Sequence, residues 1–232
     1  MTLDQYAMWA ASTDVSRSTG LSTEPLLLEI GLAFVREIGK VAGALTRRPS
    51  ADERWRDGLA EALGDLAYHW ARLCVITGVA PSTLLARSRA HIEWRQAGRP
   101  SGGPAAASAG ITLEEYAAWV AAASRPGDRP DDESLLDIGL ALAGDAGEVV
   151  ECLRRVRRES DGPRECLVGE LGDVWRYWTR LCAATGLTPA ELLARSRARI
   201  EAGLPGGSVP PRAPRLGSGE ISNAGTSIDV AE

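Results

Sequence analysis

Leu26 to Glu93 lies over Ser134 to Glu201 at a constant offset of 108 with no gap, so the chain carries two copies of one unit. Leu-Leu-Glu-Ile-Gly-Leu at 27–32 answers Leu-Leu-Asp-Ile-Gly-Leu at 135–140. Leu63-Gly64-Asp65 answers Leu171-Gly172-Asp173, Trp70 answers Trp178, and Leu85 to Ala90 recurs as Leu193 to Ala198. The openings, Thr2-Leu3-Asp4-Gln5-Tyr6 and Thr112-Leu113-Glu114-Glu115-Tyr116, are offset by 110, which leaves two extra residues in the first loop of the first copy. Any fold for this chain must therefore be one that two like units can build together. Ala97 to Pro104, rich in Gly, Pro and Ser, and the Ala/Ser run after it cannot bury apolar area and read as a flexible linker. The expected division is a first repeat over 1–97, a linker over 98–110, a second repeat over 111–205, and a disordered tail over 206–232, where large apolar residues become scarce.

Each repeat reads as four helices. Thr112-Leu-Glu-Glu sets a threonine N-cap three residues before an acid, a capping box for a helix ending before Pro126. Leu135, Ile138, Leu142, Val149, Leu153 and Val156 recur near the helical period and mark a long second helix, closed by Asp161-Gly162-Pro163. A third runs from Arg164 to Thr185, with Leu167, Leu171, Val174, Trp178 and Leu181 on its apolar stripe and Gly186 as the C-cap signal. Thr188-Pro189-Ala190-Glu191 caps a fourth, with proline in the first turn. No segment alternates with period two. The fold class is all-α: two tandem four-helix units of about 95 residues that bury their stripes against one another as an intramolecular pseudo-dimer.

Hydrophobic residues make up 44% of the sequence and charged residues 25%, an ordinary globular balance. The longest apolar stretch, Ala117 to Ala123, falls far short of the roughly 20 residues that span a bilayer, and the N-terminus lacks a secretory pattern. The expectation is a cytoplasmic protein with no membrane partner. A net charge of −5, with arginines scattered among acids, argues against long nucleic acid and leaves room for small phosphorylated ligands. Four cysteines without a C-x-x-C pair supply neither a zinc framework nor a disulfide scaffold, so reduced, mostly buried thiols are expected, Cys74 and Cys182 among them. His69 and His91 have no acid or cysteine at metal-ligand spacing and read as surface or packing.

The carboxylates carry the chemical signal. Glu148 and Glu151 stand three apart on the second helix, one turn from each other on one face, and Glu170 and Asp173 repeat that spacing on the third. If the two helices run antiparallel, the pairs converge in the groove between them. Four carboxylates so placed repel one another and favour a divalent cation. An all-oxygen donor set points to Mg²⁺, or Mn²⁺, rather than zinc. One such pair alone is usually a solvated, salt-bridged face. The first copy serves as a control: the positions of Glu148, Glu151 and Glu170 are Lys40, Gly43 and Ala62 there, and only Asp65 keeps the acid of Asp173. The apolar residues around them persist. That pattern fits one metal site per chain, in repeat two, beside a support repeat in which Lys40 places an ammonium where the metal would sit, paired with Asp65.

Gly139 to Glu151, Gly-Leu-Ala-Leu-Ala-Gly-Asp-Ala-Gly-Glu-Val-Val-Glu, followed by Glu170-Leu171-Gly172-Asp173-Val174, resembles the signature of the MazG-type all-α nucleotide pyrophosphohydrolases. That signature is E-x-x-E, a spacer, then E-x-x-D, and eighteen residues here separate Glu151 from Glu170. The likeness extends to the opening Thr112-Leu-Glu-Glu-Tyr and the closing Thr185-Gly-Leu-Thr-Pro, and so covers essentially residues 111–205. Repeat one resembles the same scaffold with the signature broken. The resemblance implies Mg²⁺-dependent hydrolysis of a nucleoside triphosphate between the α and β phosphates, giving monophosphate and pyrophosphate. It implies Glu148, Glu151, Glu170 and Asp173 as metal ligands, with Glu148 or Glu151 orienting or deprotonating the attacking water. The family's asparagine and lysine facing the phosphates align with Ser196 and Arg199, of which Arg199 keeps a phosphate-binding cation.

Arg176, replacing Tyr68 of repeat one, reads as an exposed helical arginine or as a group that reaches the triphosphate, and Tyr177 is a similar candidate. Trp175 stands where repeat one has Ala67 and reads as packing or as a base-stacking surface. Trp9 with Trp119, and Trp70 with Trp178, recur in both copies and read as scaffold. Two functions remain: a pyrophosphohydrolase whose site in repeat two is completed by repeat one, and a catalytically inactive nucleotide- or protein-binding regulator on the same scaffold. Fusion either satisfies the family's dimer interface internally or leaves two chains to pair as a homodimer.

Overall fold

The computed structural model describes residues 1–13, 23–47, 54–98, 110–123, 132–158 and 164–203. The tail expected over 206–232, most of the linker and the turn at 161–163 lie outside the described residues. Eight helices run in order: α1 (Leu3–Ser12), α2 (Thr23–Thr46), α3 (Arg54–Thr77), α4 (Pro81–Gln96), α5 (Leu113–Ala123), α6 (Asp132–Arg158), α7 (Arg164–Thr185) and α8 (Pro189–Glu201). The described residues contain no strand, so the fold is all-α, and no helix among them is long and apolar enough to cross a membrane.

The caps follow the local sequence. Thr112 Oγ1 accepts from the Glu115 amide at 3.1 Å while Glu115 Oε2 accepts from the Thr112 amide at 2.8 Å, the reciprocal capping box. Thr2 and Gln5 do the same at the start of α1. Gly186, at φ +65°, ends α7: its own amide donates to Ala183 O and the Leu187 amide to Cys182 O, which only a residue tolerant of the left-handed region permits cheaply. The exception is Thr188. It is extended at the N-cap position, yet its side chain makes no capping bond, and Pro189 in the first turn starts α8 in its place.

Short connections pair α2 with α3 and α6 with α7, and α1 and α5 each lie on the third helix of their own repeat. The closing helices cross over: α4 packs on α7 and α8 on α3. Contacts between the copies come in matched sets. Trp70 Nε1 donates to Leu171 O at 2.8 Å, and Trp178 Nε1 donates to Leu63 O at 2.9 Å. Tyr6 OH donates to Ser196 Oγ at 3.3 Å, and the Tyr116 and Ser88 hydroxyls meet at 3.4 Å. Gly31 faces Leu153 while Gly139 faces Leu45, which sets α2 and α6 antiparallel across the layer. One core therefore draws on both repeats, with the indoles of Trp70, Trp175 and Trp178 stacked at its centre, 4.0 and 4.3 Å apart.

The crossing of α4 over α7 needs a missing side chain. A Cβ on Gly172 would stand 2.7 Å from the Cβ of Ser88, whereas one on Gly169, three residues earlier on the same helix, would meet nothing within 4 Å. Gly169→Ala should raise stability by up to about 1 kcal/mol, because alanine is the better helix former. Gly172→Ala gains the same propensity but forces the helices apart, at a cost of roughly 1–3 kcal/mol. Thermal melts of the two variants should move in opposite directions.

Candidate metal and phosphate site

Successive residues turn by about 100° on a helix, so Asp145, Glu148 and Cys152 fall within an arc of about 60° on α6. Cys166, Glu170 and Asp173 do the same on α7. The two stripes meet. Cys152 is bonded to Cys166 through a disulfide, with the Cα atoms 6.0 Å apart. This corrects the expectation of reduced thiols for that pair: the cysteines belong to different helices, so no short spacing in the sequence announces them. Cys74 and Cys182 are free and buried as expected, and burial pushes both thiols up. With the disulfide fixing the antiparallel register, Glu148 stands opposite Glu170 one turn along, and Asp145 opposite Asp173 a turn further.

Electrostatics marks the same four acids as one group. Asp145 is half-buried, and its Oδ2 is enclosed without accepting a hydrogen bond. Burial pushes its carboxyl up to about 6, helped by the charges of Asp173 and Glu148 and opposed by Arg176 and Arg95. Burial likewise raises Glu170, reinforced by Asp173, Asp145 and Glu148 and opposed by Arg95. The sequence stripe of Glu148 and Glu151 is thus displaced by one turn, to Asp145 and Glu148. Glu151 lies about 90° from the middle of the α6 arc. Its two oxygens take Arg154 at 3.0 Å and Arg155 at 3.4 Å, both from its own helix. A one-turn continuation of the acid series, Asp145-x-x-Glu148-x-x-Glu151, was the available signal, and pairing with the last two acids instead of the first two missed Asp145.

The four carboxylates do not close on a single point. Among the described residues, the donors whose ligand atoms all lie within 4.8 Å of one another are Cys152, Cys166 and Glu170. Unneutralised carboxylates hold their oxygens apart, and an enclosed oxygen without a donor, as at Asp145, is what a cation would satisfy. The donor atoms of these four acids are all oxygen, the type that Mg²⁺ or Mn²⁺ takes.

Cations reach this group from both copies. Arg176 stands in its field from α7 and lies over the Tyr177 ring, 4.4 Å from its centre. Arg95, at the end of α4 in repeat one, brings its Nη2 to 4.0 Å from Asp173 Oδ1. Sequence reasoning missed Arg95 because it took the closing helix from the same repeat. For that reason Ser196 and Arg199 require correction: α8 lies on α3, so Ser196 is buried against Tyr6 and Arg199 pairs with Asp65. Neither stands beside Glu170 or Asp173. Trp175 is 1% exposed between two other indoles, so it is packing and offers no face to a base.

The matching place in repeat one is filled by fixed charges. Glu37, the counterpart of Asp145, is fully buried, and its carboxylate takes Lys40 at 2.8 Å and Arg36 at 2.9 Å. Lys40 also lies 3.5 Å from Asp65, as its position opposite the acid cluster foretold, and Arg199 pairs with Asp65 from α8. Two acids there face three cations. No protein-family model matches the chain, and neither does any curated protein or solved structure.

Proposed function

We propose that the chain is a Mg²⁺-dependent nucleoside triphosphate pyrophosphohydrolase of the MazG type, folded as an intramolecular pseudo-dimer with one site per chain. The observation that carries this reading is the acid group of Asp145, Glu148, Glu170 and Asp173, in which half-buried Asp145 and Glu170 are pushed up by burial and by the neighbouring carboxylates, and Asp145 keeps an oxygen with no donor. A divalent ion held there neutralises phosphate charge and acidifies a bound water. Asp145, Glu148, Glu170 and Asp173 would hold the ion. Arg95 and Arg176 would offset the remaining triphosphate charge. Repeat one contributes Arg95 and a counterpart site neutralised by Lys40 and Arg199. The matched Trp, Tyr–Ser and Gly–Leu contacts support the pseudo-dimer. Leu32 and Leu140, both more than 70% exposed on α2 and α6, support a homodimer through that layer.

The 4.0 Å approach of Arg95 to Asp173 favours a second reading, a retired enzyme in which an arginine replaces the ion and the chain only binds nucleotide. A panel of canonical and modified triphosphates with Mg²⁺ decides between them. Release of pyrophosphate and monophosphate, lost in Glu148→Gln, is the expected result. Nucleotide binding without turnover on any member of the panel establishes the second reading instead.

A further inference from the structure

We infer that Cys152, Cys166 and Glu170 form a second metal site, one for a soft divalent ion such as Zn²⁺, available only when the Cys152–Cys166 disulfide is reduced. The ligand atoms of all three already lie within 4.8 Å of one another. Cys166 and Glu170 are four apart on α7, hence one above the other on the same face, and Cys152 meets them from α6. A tetrahedral ion at about 2.3 Å from each sulfur sets the sulfurs roughly 3.8 Å apart. Cα atoms at 6.0 Å accommodate that spread by rotation of the side chains alone. Cys152 is 2% exposed and Cys166 and Glu170 are half-buried, so a pair of thiolates there is disfavoured unless a cation neutralises it. Repeat one gives an internal comparison: its counterparts are Ala44, Gly58 and Ala62, with no ligand atom among them. All three donors are confined to the copy that bears the acids.

The chemistry balances with a dithiol as the reductant. Its thiolate attacks one sulfur, the S–S bond breaks, and a second exchange leaves two protein thiols and an oxidised dithiol. Zn²⁺ then displaces two protons, one from each thiol. Because Glu170 belongs to both donor sets, a filled thiolate site withdraws that carboxylate from the acid group. The site itself does not depend on the hydrolase reading, and its test contains no nucleotide.

The test is Co²⁺ titration of the full chain, before and after reduction by a phosphine and anaerobic desalting. The reduced chain should bind one Co²⁺ with a near-ultraviolet thiolate-to-cobalt band, and the oxidised chain should show none. Cys152→Ser should abolish the band; Cys166→Ser, at a half-buried position, serves if that variant does not fold. Glu170→Gln should keep a band but weaken binding by at least the roughly tenfold that even an outer-shell partner is worth. No band in a reduced chain that retains its helicity overturns the proposal. So does a band that survives either cysteine substitution, or loss of helicity on reduction.

Discussion

Asp145→Asn should lower Mg²⁺-dependent pyrophosphate release by about 100-fold or more, while Glu151→Gln leaves it within about threefold, both measured on the same triphosphate. A ligand to an ion that stabilises transferring phosphate charge contributes several kcal/mol to the transition state, and each 1.36 kcal/mol is about tenfold in rate. Asp145 has the enclosed oxygen with no donor and stands in the field of Asp173 and Glu148. Glu151 is engaged by Arg154 and Arg155 of its own helix. The same acids fix a pH dependence. Asp145 rises to about 6 without a cation, so protons compete with Mg²⁺ there, and the apparent Mg²⁺ affinity should fall as the pH drops through about 6. Glu170, shifted in the same direction, adds to the effect. The reverse pattern, a large loss in Glu151→Gln with Asp145→Asn close to the parent, would place the ion one turn further along, at Glu148 and Glu151.

What the sequence makes legible here is whatever is local. The apolar period of α7 and the Gly186 stop placed the helix over about Arg164 to Thr185, where it lies, since caps and stripes are decided by neighbours within a turn or two. Lys40 facing Asp65 was also readable, because the gapless alignment of the repeats transfers position from one copy to the other. The crossing of α4 onto α7 and α8 onto α3 was not. Ser88 and Ser196 carry the same neighbours in sequence, and nothing within a repeat says whose third helix a closing helix covers. That one ambiguity moved Ser196 and Arg199 away from the acids and hid Arg95. The disulfide stayed hidden for a related reason: Cys152 and Cys166 become neighbours only once the α6–α7 register is fixed. Trp175 was ambiguous because an indole serves a core and a base equally well, and the stack with Trp70 exists only when both copies are in place.

Arg199→Met should destabilise the fold by about 2–4 kcal/mol and leave turnover per folded molecule unchanged. Its guanidinium pairs with Asp65, whose side chain is 6% exposed, and removing one partner of a buried pair strands the other charge. Lys40, 3.5 Å from the same carboxylate, retains part of the compensation, which keeps the loss below the upper limit for such pairs. The pH dependence has a definite sign. Burial raises Asp65 to about 6 even with Arg199 beside it, so the native state binds a proton that the unfolded chain releases near 4. Stability therefore declines as pH climbs from about 4 to 6 and is level above. Without Arg199 the carboxyl titrates higher, the decline runs on past 6, and the deficit against the parent should be larger at pH 8 than at pH 5. Asp65→Asn in the Arg199→Met background removes the stranded charge and should recover most of the loss, a coupling that a double-mutant cycle by denaturant unfolding measures directly. A variant that keeps full stability but loses turnover would return Arg199 to the phosphates, and with it the closing helix to its own repeat.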